Sequence, residues 1–229
     1  MIKIREVLIS KETYHTTKKG NKVYIRNGKI IVPTSLTIHS TGNLQSTAVN
    51  ERNWLINPTN NSGASWNICV DEKEAIIAIP LNEKSNHSGD TTGNNTSIGL
   101  EICESGDREK TLRNAIQVSA WVLKRFNLTY KDLKQHFNWN KKNCPRILRE
   151  TGRWEWFVNE VKKEMEGQNM PKYNTLEEVP EWGKSTVEKL FNKGALKGDE
   201  NGNLNISEEL LRTFVIHDRL GLYDLPIYT

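Results

Sequence analysis

Ser35-Leu36-Thr37-Ile38-His39-Ser40-Thr41 is the stretch on which the reading of this chain turns. Its short apolar run reads as a buried strand that ends on a histidine and then a turn. A second run, Thr96-Ser97-Ile98-Gly99-Leu100-Glu101-Ile102, opens a central strand over residues 97–103, apolar on both faces except for Glu101. A carboxylate inside such a strand is expensive to bury. It calls for a cationic partner on a neighbouring strand or for a chemical role.

Outward from these strands the pattern continues. Residues 2–8 alternate strictly and predict a strand. Residues 22–26 and 29–32 flank Asn27-Gly28, a pair that predicts a hairpin. Residues 45–55 predict a helix, and 66–71 with 74–80 a second hairpin. Between Arg108 and Phe126, Leu112, Ile116, Ser119, Val122, Leu123 and Phe126 recur at helical spacing. Residues 130–134 read as a short helix that delivers His136, and 153–166 as an amphipathic helix. Gly167-Gln168-Asn169-Met170-Pro171 breaks the pattern. The predicted organisation is a domain over 1–166, a linker over 167–171 and a small helical domain over 172–229, with helices at 180–192 and 208–220.

A chain of 229 residues suits one sizeable domain plus a small one. No run of 18 apolar residues occurs, so no membrane-spanning helix is expected. Met1-Ile2-Lys3-Ile4-Arg5-Glu6-Val7 lacks the apolar core of a signal peptide, which predicts a protein made in the cytoplasm without a secretion signal. Three cysteines, an odd count, argue against a disulfide scaffold. Cys69 and Cys103 lie in apolar runs and read as small buried hydrophobes. Residues 172–229 carry 7 Lys and Arg against 10 Asp and Glu, leaving 25 against 18 in residues 1–171. The basic first part suits an anionic polymer such as a teichoic-acid-rich wall, and equally nucleic acid, so charge alone does not choose.

Cys144 differs from the other thiols, lying in a polar loop among lysines. With His39 and His136 it forms a set of two imidazoles and one thiolate that can hold a zinc ion and leave its fourth position to water. His136 and Cys144 share the segment Gln135-His136-Phe137-Asn138-Trp139-Asn140-Lys141-Lys142-Asn143-Cys144-Pro145. His39 arrives from a distant strand end. Pro145 can open a helix directly after the cysteine. Each residue taken alone reads as a surface or capped residue; the combination is what points to a metal.

These three motifs, residues 37–41, 96–102 and His136 through Cys144-Pro145, resemble in order and spacing the zinc-dependent N-acetylmuramoyl-L-alanine amidases. The resemblance is to the peptidoglycan-recognition-protein-like type of many phage and prophage endolysins, and it covers residues 1–166. It implies an α/β fold, a central mixed β-sheet flanked by helices with the site in a groove, followed by the small C-terminal helical domain. It implies Zn2+ on His39, His136 and Cys144, Glu101 as general base, and Lys142 beside the oxyanion. The loop Asn86-His87-Ser88-Gly89-Asp90 resembles a groove-lining segment, with His87 a substrate contact or a support for a ligand. Trp66-Asn67 stands where many members carry an aromatic-His pair; the resemblance implies that Trp66 and Asn67, with His87, meet substrate, where Asn67 can only hydrogen-bond. The partner implied is peptidoglycan, with no nucleic acid and no membrane insertion, reached after release from a bacterial host's cytoplasm. The plainer alternatives are a salt bridge for Glu101, a solvated lysine for Lys142 and a loop histidine for His87.

Two other functions compete. A non-catalytic peptidoglycan-binding module could share the fold. A thiol hydrolase could use Cys144 with His136, since a helix start lowers a thiol pKa, but it leaves His39 and Glu101 without roles. In the C-terminal part, residues 182–194 resemble an S-layer-homology-type helical unit, which implies wall binding. Dimerisation through Trp182, Phe191 and Leu211 is the alternative role. Residues 199–207 carry oxygens at calcium-loop positions 1, 3, 5, 7 and 9, yet lack the glycine at 6 and the glutamate at 12. A Gly/Asn turn leading to a Ser207-capped helix is the simpler account. His15 and His217 receive no role.

Overall fold

The structure, a computed structural model, describes residues 2–16, 20–167 and 172–224. The chain divides into two compact units, Met1–Glu166 and Gly167–Thr229. Residues 168–171 of the expected linker lie outside the described residues.

The first unit carries strands β1 (Lys3–Glu6), β2 (Tyr14–Thr16), β3 (Lys22–Tyr24) and β4 (Ser35–Ser40), then helix α1 (Ala48–Trp54). Strands β5 (Ile68–Val70) and β6 (Glu74–Ile77) follow, then helix α2 (Thr91–Thr96), strand β7 (Ser97–Ile102) and helix α3 (Arg108–Arg125). A 3-10 turn at Tyr130–Asp132 leads to β8 (Leu133–Gln135), α4 (His136–Asn140), α5 (Arg146–Arg149) and α6 (Trp154–Met165). Six strands form one mixed sheet in the order β1-β6-β5-β7-β4-β8. Only β5 and β6 pair antiparallel within it. The predicted α/β architecture is the one found.

Pleating sorts the two middle strands. Leu36 and Ile38 of β4 and Ile98, Leu100 and Ile102 of β7 pack with Leu112, Ile116 and Leu123 of α3 and Phe157 and Val161 of α6. Alternate residues point the other way in a strand, which puts Thr37, His39, Ser97, Gly99 and Glu101 on the opposite face. The Glu101 face is therefore polar and small-residued, not apolar as the sequence pattern suggested. The register couples Thr37 to Gly99 and His39 to Glu101. A second cluster, including Ile9, Ile25, Leu55, Cys69 and Cys103, packs separately. Cys69 and Cys103 are buried and free, as expected.

Two elements depart from expectation. The 22–32 hairpin does not form: β3 pairs with β2, and residues 29–32 carry only a bridge between Ile30 and Glu83. Glu83 is the reason. It accepts from Gly28 N and pairs with Arg26, capturing the Asn27-Gly28 turn from 55 residues away. The helix expected at 130–134 is a 3-10 turn followed by strand, because Leu133, Lys134 and Gln135 pair with Leu36, Thr37 and Ile38.

The second unit holds β9 (Lys172–Tyr173), α7 (Glu181–Asn192), β10 (Ile206–Ser207) and α8 (Glu208–Arg219). Its core is Val179, Val187, Ile206 and Leu211. Ser207 caps α8 by accepting from Leu210 N. Asp199 accepts from the amides of Asn201 and Asn203 and from Asn205 Nδ2. The carboxylate thus organises the Gly/Asn turn that leads to the Ser207-capped helix.

Phe157 of α6 is fully buried in the core that α6 shares with α3. Phe157→Ala is expected to destabilise the first unit by about 3–5 kcal/mol, read as a lower denaturation midpoint.

Candidate metal centre and groove

β4 ends at the sheet's carboxyl edge and delivers His39, 2% exposed. The edge strand β8 runs straight into α4, whose first residue is His136. Cys144 returns from the α4–α5 loop, where Phe137 N donates to Cys144 O at 3.1 Å. One ligand atom from each of His39, His136 and Cys144 lies within 4.8 Å of the others. The Nδ1 atoms of the two histidines face each other at 3.0 Å, and Cys144 Sγ lies 3.8 Å from His39 Nδ1.

The chemistry of this donor set fits a metal ion. Two imidazole nitrogens and a thiol converge in a buried patch, and among the described residues His136 Nε2 and Glu101 Oε2 are buried without a hydrogen-bond partner. Glu101 Oε1 stands 4.0 Å from His39 Nδ1. No Lys or Arg salt bridge holds Glu101 among the described residues. Lys142 is exposed on the groove lining, its backbone N donating to Asn140 Oδ1.

Burial pushes every one of these groups toward its neutral form. It lowers His39 well below the usual imidazole range, helped by His87, and lowers His136 to about 4, where the Lys142 charge adds to the effect. It raises the Cys144 thiol to about 11 and the Glu101 carboxyl to about 8, Glu51 adding to the latter and Lys142 opposing it. The imidazoles are therefore free of competing protons near neutral pH, and a nearby cation would favour the ionised thiolate and carboxylate.

A groove of about 1030 Å³ opens over the cluster. Lys142, Trp66 and His87 line it beside Asn43, Asn50 and Trp54. Trp66 is 8% and His87 7% exposed. Asn67, expected to meet substrate, is fully buried and does not line the groove. Its Oδ1 accepts from Gly99 N and Ser85 Oγ, and its Nδ2 donates to Pro80 O and Glu83 O. All its polar capacity is spent tying β7 to the loop after β6. His15 is buried, its Nε2 on Leu55 O, and His217 meets the Tyr223 hydroxyl.

Sequence reasoning missed a brace. Glu104, 4% exposed, accepts from Gly42 N and Arg146, while Arg146 N donates to Ser40 Oγ at 3.0 Å. The residues flanking His39 and Cys144 are thereby locked together. A carboxylate three residues past Glu101 was the available signal.

Comparison with known proteins agrees with this picture. The family model for N-acetylmuramoyl-L-alanine amidases matches residues 29–147, and the chain belongs to that family. It is 42% identical over 135 residues to the N-acetylmuramoyl-L-alanine amidase CwlA of Bacillus sp, covering 56% of this chain and 53% of the relative. It is 35% identical over 139 residues to the amidase XlyB of Bacillus subtilis (strain 168), covering 58% and 43%. The chain thus spans about half the length of these relatives. The solved catalytic domain of XlyA superimposes with a TM-score of 0.61 at 30% identity, covering 70% of this chain and 99% of that domain.

Asn67→Ala leaves two backbone carbonyls, a backbone amide and a hydroxyl without their partner. It is expected to destabilise the first unit by about 3 kcal/mol, measured by urea unfolding. A substrate-contact role predicts instead unchanged stability and weakened wall binding.

Proposed function

We propose that this protein hydrolyses the amide bond between N-acetylmuramic acid and L-alanine in peptidoglycan, with one Zn2+ held by His39, His136 and Cys144. The observation that carries the reading is the convergence of those three donors, from separate elements, beneath an open groove with an unpartnered carboxylate beside them. Family membership supports the same reaction class. Zinc bound there supplies Lewis-acid polarisation of the scissile carbonyl and acidification of water.

Glu101 is suited to move the proton. Its free Oε2 can accept from the attacking water and return the proton to the leaving amine of L-alanine, so that water adds across the C–N bond and two neutral groups separate. Lys142, exposed on the groove lining, is placed to oppose negative charge developing on the carbonyl oxygen. Trp66 supplies an apolar wall.

A thiol hydrolase is disfavoured because burial keeps Cys144 a thiol up to about 11, leaving little thiolate to attack. A non-catalytic binding module would have no use for Cys144 or for an unpartnered Glu101. Among the described residues no helix is long and apolar enough to cross a membrane. The Gly167–Thr229 unit, with its own core and opposite charge balance, is the part we assign to wall binding.

Cys144→Ala is expected to abolish zinc retention in metal analysis. Glu101→Gln should keep the zinc and lose about 10²–10⁴ in rate, with new N-terminal alanine as the product assay on purified wall. Near-normal turnover in the glutamine variant removes Glu101 from the mechanism. A fragment of residues 1–171 is expected to cut soluble muropeptides at near full rate and to sediment poorly with intact walls. Undiminished sedimentation excludes the wall-binding assignment for the second unit.

A further inference from the structure

His87 lines the groove, yet its ring has no polar atom left for a substrate. Nε2 lies 3.1 Å from Ser97 O, and a carbonyl can only accept, so Nε2 carries the proton. In the neutral ring Nδ1 is then a lone pair. That lone pair faces His39 Nε2 at 2.9 Å, so His39 Nε2 must be the N–H. The consequence falls on the far side of His39. Its Nδ1 is left unprotonated, and Nδ1 is the atom that faces His136 Nδ1 and Cys144 Sγ.

The loop is built to hold this ring still. Asn94 Oδ1 accepts from both His87 N and Ser88 N at 2.9 Å. Beneath the ring lies Gly99, where an added Cβ would sit 2.7 Å from His87 Cγ. Gly99 is fixed in turn by Asn67, whose Oδ1 takes its amide. Strand β7 thus supplies the acceptor at Ser97 and the empty space at Gly99 on one pleated face.

We propose that His87 is a positioning residue: the relay Ser97 O–His87–His39 sets the tautomer and ring orientation of His39 so that Nδ1 is presented to the metal. This rests on the metal-centre reading above and goes beyond it by taking His87 out of substrate contact. A ligand histidine steadied through its other ring nitrogen binds metal more tightly, and loss of such a partner typically weakens affinity about 10–100-fold.

The test uses the full chain labelled with 15N-histidine, metal-free and zinc-loaded near neutral pH. Ring-nitrogen shifts report which atom of His39 bears the proton, and competition with a chelating dye reports zinc affinity. Wild-type His39 is expected in the Nε2–H form even without metal. His87→Ala should lose that preference and bind zinc about 10–100-fold more weakly. His87→Asn, whose amide oxygen can accept from His39 Nε2, should recover part of the affinity. Wild-type His39 protonated at Nδ1 in the metal-free protein overturns the proposal without any variant, so a poorly folding alanine variant does not shield it. Unchanged zinc affinity in a folded His87→Ala protein, with the His39 shifts of wild type, overturns it as well. Wall digestion by the wild type tests the amidase reading separately: a chain that shows the His39 tautomer but leaves the wall intact fails there and not here.

Discussion

The parallel register of β4 on β7 is the constraint from which the rest of the site follows. Pairing Ile38 with Leu100 fixes, on the opposite face, Thr37 over Gly99 and His39 over Glu101. A slip of one residue would turn His39 into the α3 core and Leu36 and Ile38 out of it. Apolar burial against α3 and α6 therefore specifies the positions of a histidine and a carboxylate that contribute nothing to that burial. Functional precision is obtained from packing energy on the other side of the sheet.

The remaining parts are fastened to this pair by polar contacts of long sequence separation. Trp139 Nε1 donates to Thr37 Oγ1, which holds α4 against β4 while His136 begins that helix. Glu104 and Arg146 draw the start of α5, and with it Cys144, toward the end of β4. Asn67 grips Gly99, and Gly99 leaves room for His87. Each clamp is buried or half-buried, so its loss would strand polar groups away from water. A neighbourhood so held has little freedom to adjust when a ligand arrives, which is the condition for a preorganised site.

What the sequence made legible follows from this division. β4, β7 and α3 were readable because their apolar positions recur at the period of the element. The donor set His39, His136 and Cys144 was readable because metal chemistry restricts residue types sharply. The hairpin at 22–32 was misread because a turn propensity of local origin lost to Glu83, whose carboxylate takes Gly28 N and Arg26 together. The helix at 130–134 lost to pairing with β4. Asn67 was mistaken for a groove residue because its four partners come from Pro80, Glu83, Ser85 and Gly99, none of which its own segment announces. Local signals survive where the element is long or packed along its length, and fail where one distant side chain decides.

A single physical cause acts on all four groups of the candidate centre. Desolvation drives His39 and His136 to shed protons and drives Cys144 and Glu101 to keep them. The patch is thus electrically neutral but rich in lone pairs, with His136 Nε2 and Glu101 Oε2 lacking partners. A divalent cation held there would reverse the balance, giving the nitrogens a partner and favouring thiolate and carboxylate. Binding and proton release would then be one event, favoured the less the surrounding clamps had to move.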